Sequence, residues 1–200
     1  MRPGKSKIYM SDIPRRRNTL RCVSHDYGLT DAYFITICTE KRQNFFGNIV
    51  EGKMYLNALG KIVEEEWKKT AKMRKNIQLG EWVVMPNHFH GILFMESDLP
   101  VMRAHGNAPL RNHRSKFGPQ INNLSSIIRG FKGAVKYSIK KNLKRHDFAW
   151  QRSFYDHIIR NEKDLQSCWD YILNNPIAWE LDKYNPDFDY NKAKRDHKIK

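Results

Sequence analysis

Residues Met85–Phe94 run MPNHFHGILF, two histidines one residue apart in an otherwise apolar segment. Pro86-Asn87 is a two-residue turn signal, and HFHGILF after it is short and apolar enough for a buried strand. The preceding EWVVM (Glu81–Met85) has the same character. The two segments are expected to pair as a β-hairpin with His88 just past the turn. Side chains alternate faces along a strand, so His88 and His90 point one way and Phe89 the other. Two imidazoles aimed at one point make either a metal site or a pair of half-buried histidines bonded to their neighbours.

Other elements can be read outward from this hairpin. AYFITICT (Ala32–Thr39) is aromatic and β-branched, as in a buried strand. FFGNIVEGKMYLN carries Glu51-Gly52 at its middle and predicts a small hairpin. A helix follows, with Asn57 as N-cap and Leu59, Ile62, Val63, Trp67 and Met73 at helical spacing. A second helix is expected from Leu124 to Lys144, with Ile127, Ile128, Phe131, Val135 and Ile139 as its apolar stripe. Gly130 and Gly133 each cost about 1 kcal/mol inside it, which predicts a close neighbour there. A strand at Ser153–Arg160 and a third helix opened by Asn161, with Asp164 three residues on, complete the pattern. The order β, hairpin, α, β, β, α, β, α predicts an α+β fold, an antiparallel sheet with helices packed on it.

Charge points to the partner. Thirty-six Lys and Arg against 21 Asp and Glu leave +15, which favours a polyanion such as nucleic acid. Between Leu99 and His146 there are eleven Lys and Arg and no acid. Within that run Lys132, Lys136 and Lys140 share one helix edge. With Arg129 before them and Arg152 after, they are candidate phosphate contacts. PRRR (Pro14–Arg17) places Arg15, Arg16 and Arg17 in a basic N-terminal arm, residues 1–30. Residues 183–200 read as a basic C-terminal tail, and Ser97–Pro119 as a long loop of the functional or disordered kind. No apolar run is long enough for a membrane span and no signal-peptide core is visible. Cys22, Cys38 and Cys168 are odd in number and form no C-x-x-C pair, so they read as reduced thiols of a cytoplasmic protein.

The third helix carries the remaining chemistry. Leu165, Cys168, Trp169, Ile172 and Leu173 centre on one direction, and Tyr171 points about 130° away from it. Asn175, four residues on, lies on the side of Tyr171. Pro176 biases Asn175 away from the α region, so Asn174 is the alternative. Two imidazoles and an amide oxygen form a mixed N/O set with open positions. Such a set suits Mg²⁺ or Mn²⁺ on a phosphate better than a closed structural zinc. A tyrosine hydroxyl beside it can attack phosphorus. Tyr155 is the rival nucleophile, His157 could orient a phosphate but reads better as an ordinary strand histidine, and Trp150, Arg152 and Phe154 could form a base-stacking edge unless Trp150 is core.

MPNHFHG, then QRSFYDHIIRN (Gln151–Asn161) and DYILNNPIAWELD (Asp170–Asp182), closely resemble the REP-associated tyrosine transposases of the single-tyrosine HUH superfamily, in which U is here Phe89. The resemblance runs from about Pro14 to Asp182 and includes RRRNTLRCVSHDYG and AYFITICTEKRQNFFG. It implies a ferredoxin-like antiparallel sheet and a transposase domain over residues 31–182. It also implies metal-dependent cleavage and rejoining of single-stranded DNA beside short palindromic hairpins, through a 5′-phosphotyrosine. On this resemblance His88 and His90 are metal ligands, Asn175 is the third ligand, Tyr171 is the nucleophile, and the protein is a monomer or homodimer. Two other readings stay open: a non-catalytic single-stranded nucleic-acid-binding module of the same fold, and an unrelated H-x-H zinc protein. The binding module needs neither Tyr171 nor Asn175, and a structural zinc site would want a fourth ligand that the sequence does not visibly offer.

Overall fold

The structure, a computed structural model, describes residues 31–95 and 123–188. The N-terminal arm with Arg15, Arg16 and Arg17, the Ser97–Pro119 loop and the tail beyond residue 188 lie outside the described residues. The elements are β1 (Asp31–Cys38), β2 (Gly47–Val50), β3 (Lys53–Leu56), α1 (Ala58–Lys72), β4 (Ile77–Val84), β5 (His88–Met95), α2 (Leu124–Leu143), β6 (Tyr155–Ile159) and α3 (Glu162–Asn174). Their order is the one the sequence predicts. β4, β5, β1 and β6 lie side by side in that order, each antiparallel to its neighbour. With the separate β2–β3 hairpin set aside, this is a βαββαβ unit whose first and third strands are central, the ferredoxin-like arrangement.

Local chemistry sets the ends of these elements. The Met85 N–H donates to the His88 carbonyl at 2.8 Å and closes the Pro86-Asn87 turn. Glu51 and Gly52 both have positive φ (49° and 71°), as a two-residue hairpin turn between Val50 and Lys53 requires. Asn57 Oδ1 accepts from the Leu59 and Gly60 N–H groups, Asn123 from Ser126, and Asn161 from Asp164. Each cap supplies a partner to backbone donors that the first helical turn leaves without one.

α1 and α2 cover one face of the sheet. There Phe89 is fully buried, with ring centroids 4.8 Å from Trp67 and 5.5 Å from Phe131. Tyr33, Ile35 and Ile37 of β1 join that core, while Phe34 faces the opposite way, to Ile92, Ile159, Cys168 and Ile172 beneath α3. A central strand covered on both faces reads as a continuous apolar run, as β1 does. No helix among the described residues is long and apolar enough to cross a membrane.

Three expectations are corrected. Trp150 is core, not an exposed stacking edge, with its ring 5.3 Å from Phe46 and 5.1 Å from Phe148. Met73 caps the C-terminus of α1 and is 66 % exposed, because it falls beyond the last turn that faces the core. The α2 glycines answer to no close neighbour among the described residues. A Cβ at Gly133 would meet no described atom within 4 Å, and one at Gly130 only the end of the Arg74 side chain, at 3.3 Å. Gly133→Ala is therefore expected to raise unfolding free energy by about 1 kcal/mol, read from the urea midpoint.

Candidate active site

On the face of β5 opposite Phe89, His88 and His90 are both fully buried, with ring centroids 4.6 Å apart. The neighbouring β1 holds one of them. Thr36 pairs with His90 in the strand register, and its Oγ1 lies 2.8 Å from His90 Nδ1. His88 is held through the turn, where its Nδ1 lies 2.8 Å from Asn87 Oδ1. The Asn87 amide nitrogen donates to the carbonyls of Arg42 (3.0 Å) and Tyr184 (2.6 Å). Carbonyls only accept, which fixes Asn87 with its oxygen toward His88. That oxygen requires a proton on Nδ1, so Nε2 keeps its lone pair. The backbone at Lys41 and Arg42 has positive φ (53° and 54°), an unfavourable conformation for these residues. It presents the Arg42 carbonyl to Asn87.

α3 brings up the other two candidates. Its sheet-facing stripe runs through Cys168, Tyr171, Ile172 and Asn175, at i, i+3, i+4 and i+7. Leu173, by contrast, is 62 % exposed. The sequence expectation that Tyr171 points away from the apolar direction is thus corrected: Tyr171 is half-buried in the same stripe. Its ring stands edge-on to His90 at 5.1 Å and to Phe34 at 5.8 Å. Asn175 is the residue turned inward. It is buried and keeps helical angles (φ −58°, ψ −45°) despite the following proline, because the chain goes on turning. The Ala178 N–H bonds the Asn174 and Asn175 carbonyls. Asn174 is exposed and its amide returns to the Asp170 carbonyl. The Nε2 atoms of His88 and His90 and the Oδ1 of Asn175 are buried, and none has a hydrogen-bond partner among the described residues. The two imidazole rings are 4.6 Å apart, and the Asn175 side chain is near enough to His88 to act on its protonation. Buried lone-pair atoms left so fit a cation better than they fit a packed core.

Sequence reasoning missed the wall formed by residues 182–184, because that segment has no periodicity and its contacts are long-range. Asp182 Oδ2 lies 3.8 Å from His88 Nε2. Tyr184 is buried with its ring 4.7 Å from His88, so packing continues past residue 182, where the sequence places the start of the tail. Arg42 and Lys183 stand over the Tyr184 ring at 4.9 and 4.8 Å. Burial sets the protonation states. It holds His88 well below its usual value, helped by His90, Lys183 and Arg42, and lowers His90 to about 3, helped by Lys183. Burial raises the Asp182 carboxyl. Burial, and then Asp182, pushes the Tyr171 phenol up, while a hydrogen bond from Asn175 acts the other way. At neutral pH both imidazoles are neutral, as ligands must be.

The remaining candidates lie elsewhere. Tyr155 shares this face of the sheet but is separated from His90 by Thr36, which it pairs with on the far side. His157 is held by Asp164, 3.0 Å from each carboxylate oxygen, and ties β6 to α3. Cys168 lies within ligand range of that pair, and burial pushes its thiol up to about 12. Lys132 is half-buried, and its ammonium donates to the carbonyls of Gln151 and Arg152. Arg129, Lys136, Lys140 and Arg152 are exposed. The first three are on α2, behind the sheet as seen from the histidines.

No family model matches the sequence. The chain is 36 % identical over 178 residues to an uncharacterised protein of Haemophilus influenzae, covering 88 % of this chain and 96 % of that one. It belongs to the same family as that protein. A stretch of 54 residues, 27 % of this chain and 31 % of the relative, is 39 % identical to a protein of the same organism provisionally named a REP-associated tyrosine transposase. A solved REP-associated tyrosine transposase bound to a REP hairpin is similar in fold, with a TM-score of 0.53 at 20 % identity. The match covers 82 % of this chain and 76 % of that chain. The resemblance read from the motifs is borne out.

Two outcomes follow from this geometry. If the pair of histidines holds a divalent cation, Asn87→Ala, which frees the His88 ring, is expected to weaken its binding about 10- to 100-fold, measured by calorimetry. In EDTA, stability should fall from pH 7 to pH 5. The unfolded chain protonates its histidines as pH drops through about 6.5, whereas folded His88 and His90 stay neutral. The stability they contribute is present above that value and is lost below it. Asp182, raised by burial, opposes this as one group against two. Urea midpoints across the range check the sign.

Proposed function

We propose that this relative of the REP-associated tyrosine transposases is a single-strand DNA transesterase, cutting and rejoining DNA beside short hairpins with Tyr171 as nucleophile. The observation that carries this reading is the convergence of His88 Nε2, His90 Nε2 and Asn175 Oδ1, all buried and without hydrogen-bond partners, with Tyr171 stacked edge-on against His90. His88, His90 and Asn175 would hold Mg²⁺ or Mn²⁺. The ion, when bound, would draw charge from a non-bridging phosphate oxygen.

The residues of the chain supply the rest. Tyr171 Oη forms a bond to phosphorus as the P–O3′ bond breaks. The phenol gives up its proton while the departing 3′ oxygen takes one up. The products are a 5′-phosphotyrosine and a free 3′-OH, and the reverse reaction rejoins the strand without ATP. Asn175 bonds the phenol and favours its ionised form, against the burial that keeps it protonated until a substrate arrives. Arg42 and Lys183, beside the site, would offset phosphodiester charge. A net charge of +15 and the hairpin held by the structural relative support hairpin DNA as substrate. Arg129, Lys136 and Lys140, behind the sheet, suit contacts to phosphates of duplex DNA better than contacts to the strand being cut.

A 3′-labelled single-stranded hairpin library incubated with Mn²⁺ is expected to give a labelled covalent adduct that maps to Tyr171 by mass and is absent with EDTA. Tyr171→Phe should abolish the adduct with DNA affinity nearly unchanged, and His88→Ala should lose metal binding and adduct together. Tight binding of a cognate hairpin with no adduct under either metal would instead support a binding module.

A further inference from the structure

The first half of α3 carries side chains that the reaction above does not use. Asp164 and Cys168 lie four residues apart, one turn along the same face of the helix. That face meets His157 of β6, an edge strand of the sheet. His157 Nε2 lies 3.0 Å from each oxygen of the Asp164 carboxylate. A carboxylate only accepts, so the nitrogen carries a proton shared between two oxygens. The Arg160 N–H donates to Oδ2 at 3.2 Å and helps to fix the direction of the carboxylate. Cys168 is buried and free of any disulfide. Ligand atoms of these three residues all lie within 4.8 Å of one another, and among the described residues no other three His, Cys, Asp or Glu side chains come so close. Tetrahedral zinc holds nitrogen and oxygen ligands roughly 3.3 Å apart and a sulfur roughly 3.5 Å from either, so the group closes on one ion with shifts of about 1 Å. Cys168 sits in the apolar cluster with Phe34, Ile92, Ile159 and Ile172. The His157 and Asp164 side chains keep 19 % and 25 % exposure. The group is therefore dry on one side and open to water on the other.

We propose that His157, Asp164 and Cys168 form a site for Zn²⁺, the ion taking the place of the proton between His157 and Asp164 and leaving a fourth position for water. One imidazole, one carboxylate and one thiolate make a zinc-type set, softer than the N/O set of His88, His90 and Asn175. On binding, the neutral His157 ring keeps its proton on Nδ1 and turns Nε2 to the metal. The Cys168 thiol releases its proton to solvent. Burial, and then the Asp164 charge, hold that thiol up at about 12 without a metal, so a thiolate there at neutral pH is a sign of the ion. The ion pins α3, three residues before Tyr171, to the edge of the sheet. The site and its test stand apart from the reading of the β5 histidines.

The test uses the full chain, stripped with EDTA, and Co²⁺ as a spectroscopic probe for zinc. One equivalent of Co²⁺ should bring up a thiolate-to-cobalt charge-transfer band and the strong visible absorption of a tetrahedral site, and Zn²⁺ should displace both. The band should persist in His88→Ala/His90→Ala and in Cys38→Ala, and vanish in Cys168→Ala. His157→Gln, at the partly open rim, should also lose it, and carries the test if Cys168→Ala does not fold. Asp164→Asn should bind Zn²⁺ at least tenfold more weakly, by competition with a chromophoric chelator, since loss of an outer-shell partner alone costs that much. Absence of a thiolate band in wild type, or a band that survives Cys168→Ala, would overturn the site. Cobalt absorption without a thiolate band, lost in His88→Ala/His90→Ala, would place the ion at the β5 histidines and overturn it equally. So would Zn²⁺ affinity within twofold of wild type in both His157→Gln and Asp164→Asn.

Discussion

The burial of Phe89 between Trp67 and Phe131 commits β5 to one parity, and the candidate site is what that commitment leaves on the other face. A slip of one residue would turn Phe89 out of the core and drive His88 and His90 into it. Losing a buried phenylalanine costs about 3–5 kcal/mol, and each imidazole placed there without a partner a further 1–3 kcal/mol or so. Against a total stability of about 5–15 kcal/mol, the alternative register is excluded. The histidines are held where they are largely by an aromatic cluster they never touch.

Parity places the rings but does not orient them, and here the β4–β5 turn matters as much as the strand. Asn87 works as a joint: its nitrogen is fastened to two carbonyls from distant parts of the chain, and its oxygen decides which histidine nitrogen carries the proton. Such outer-shell partners commonly set tautomer and ring orientation at metal sites. The left-handed backbone at Lys41 and Arg42 fits this scheme, since strain of this kind survives where surrounding contacts over-determine it.

Much of this was legible in the sequence, and the failures have physical causes. Asn57, Asn161 and Pro86-Asn87 act through neighbours a few residues away, so reading them needed no tertiary information. His88, His90 and Phe89 could be sorted because strand alternation is rigid. The face of α3 was misjudged because Trp169 and Leu173 weighted the apolar direction, whereas the sheet selects the row that includes a tyrosine and an asparagine. Pro176 does bias its predecessor, but the turn that carries on through Ala178 overrode the bias at Asn175. Lys132 looked like one of a row of free cations. Its long stem let it reach the Gln151 carbonyl, and only the fold shows that an acceptor waits there. Tyr184 had no signal at all and Asp182 none beyond closing a quoted motif, because their importance comes from where the chain ends up after α3.

That return of the chain bears on how the protein is made. The two histidines are translated in the first half of the chain, and the sheet position that holds them opposite Thr36 needs only β1 and β5. Tyr171, Asn175 and Asp182 come some eighty residues or more later, and Asn87 lacks one of its two anchors until residue 184 has been added. A nascent chain therefore carries the histidines for some eighty residues of its synthesis before the proposed nucleophile is added. On the reading proposed above, a chain broken off before α3 would keep its basic residues without the tyrosine that cuts.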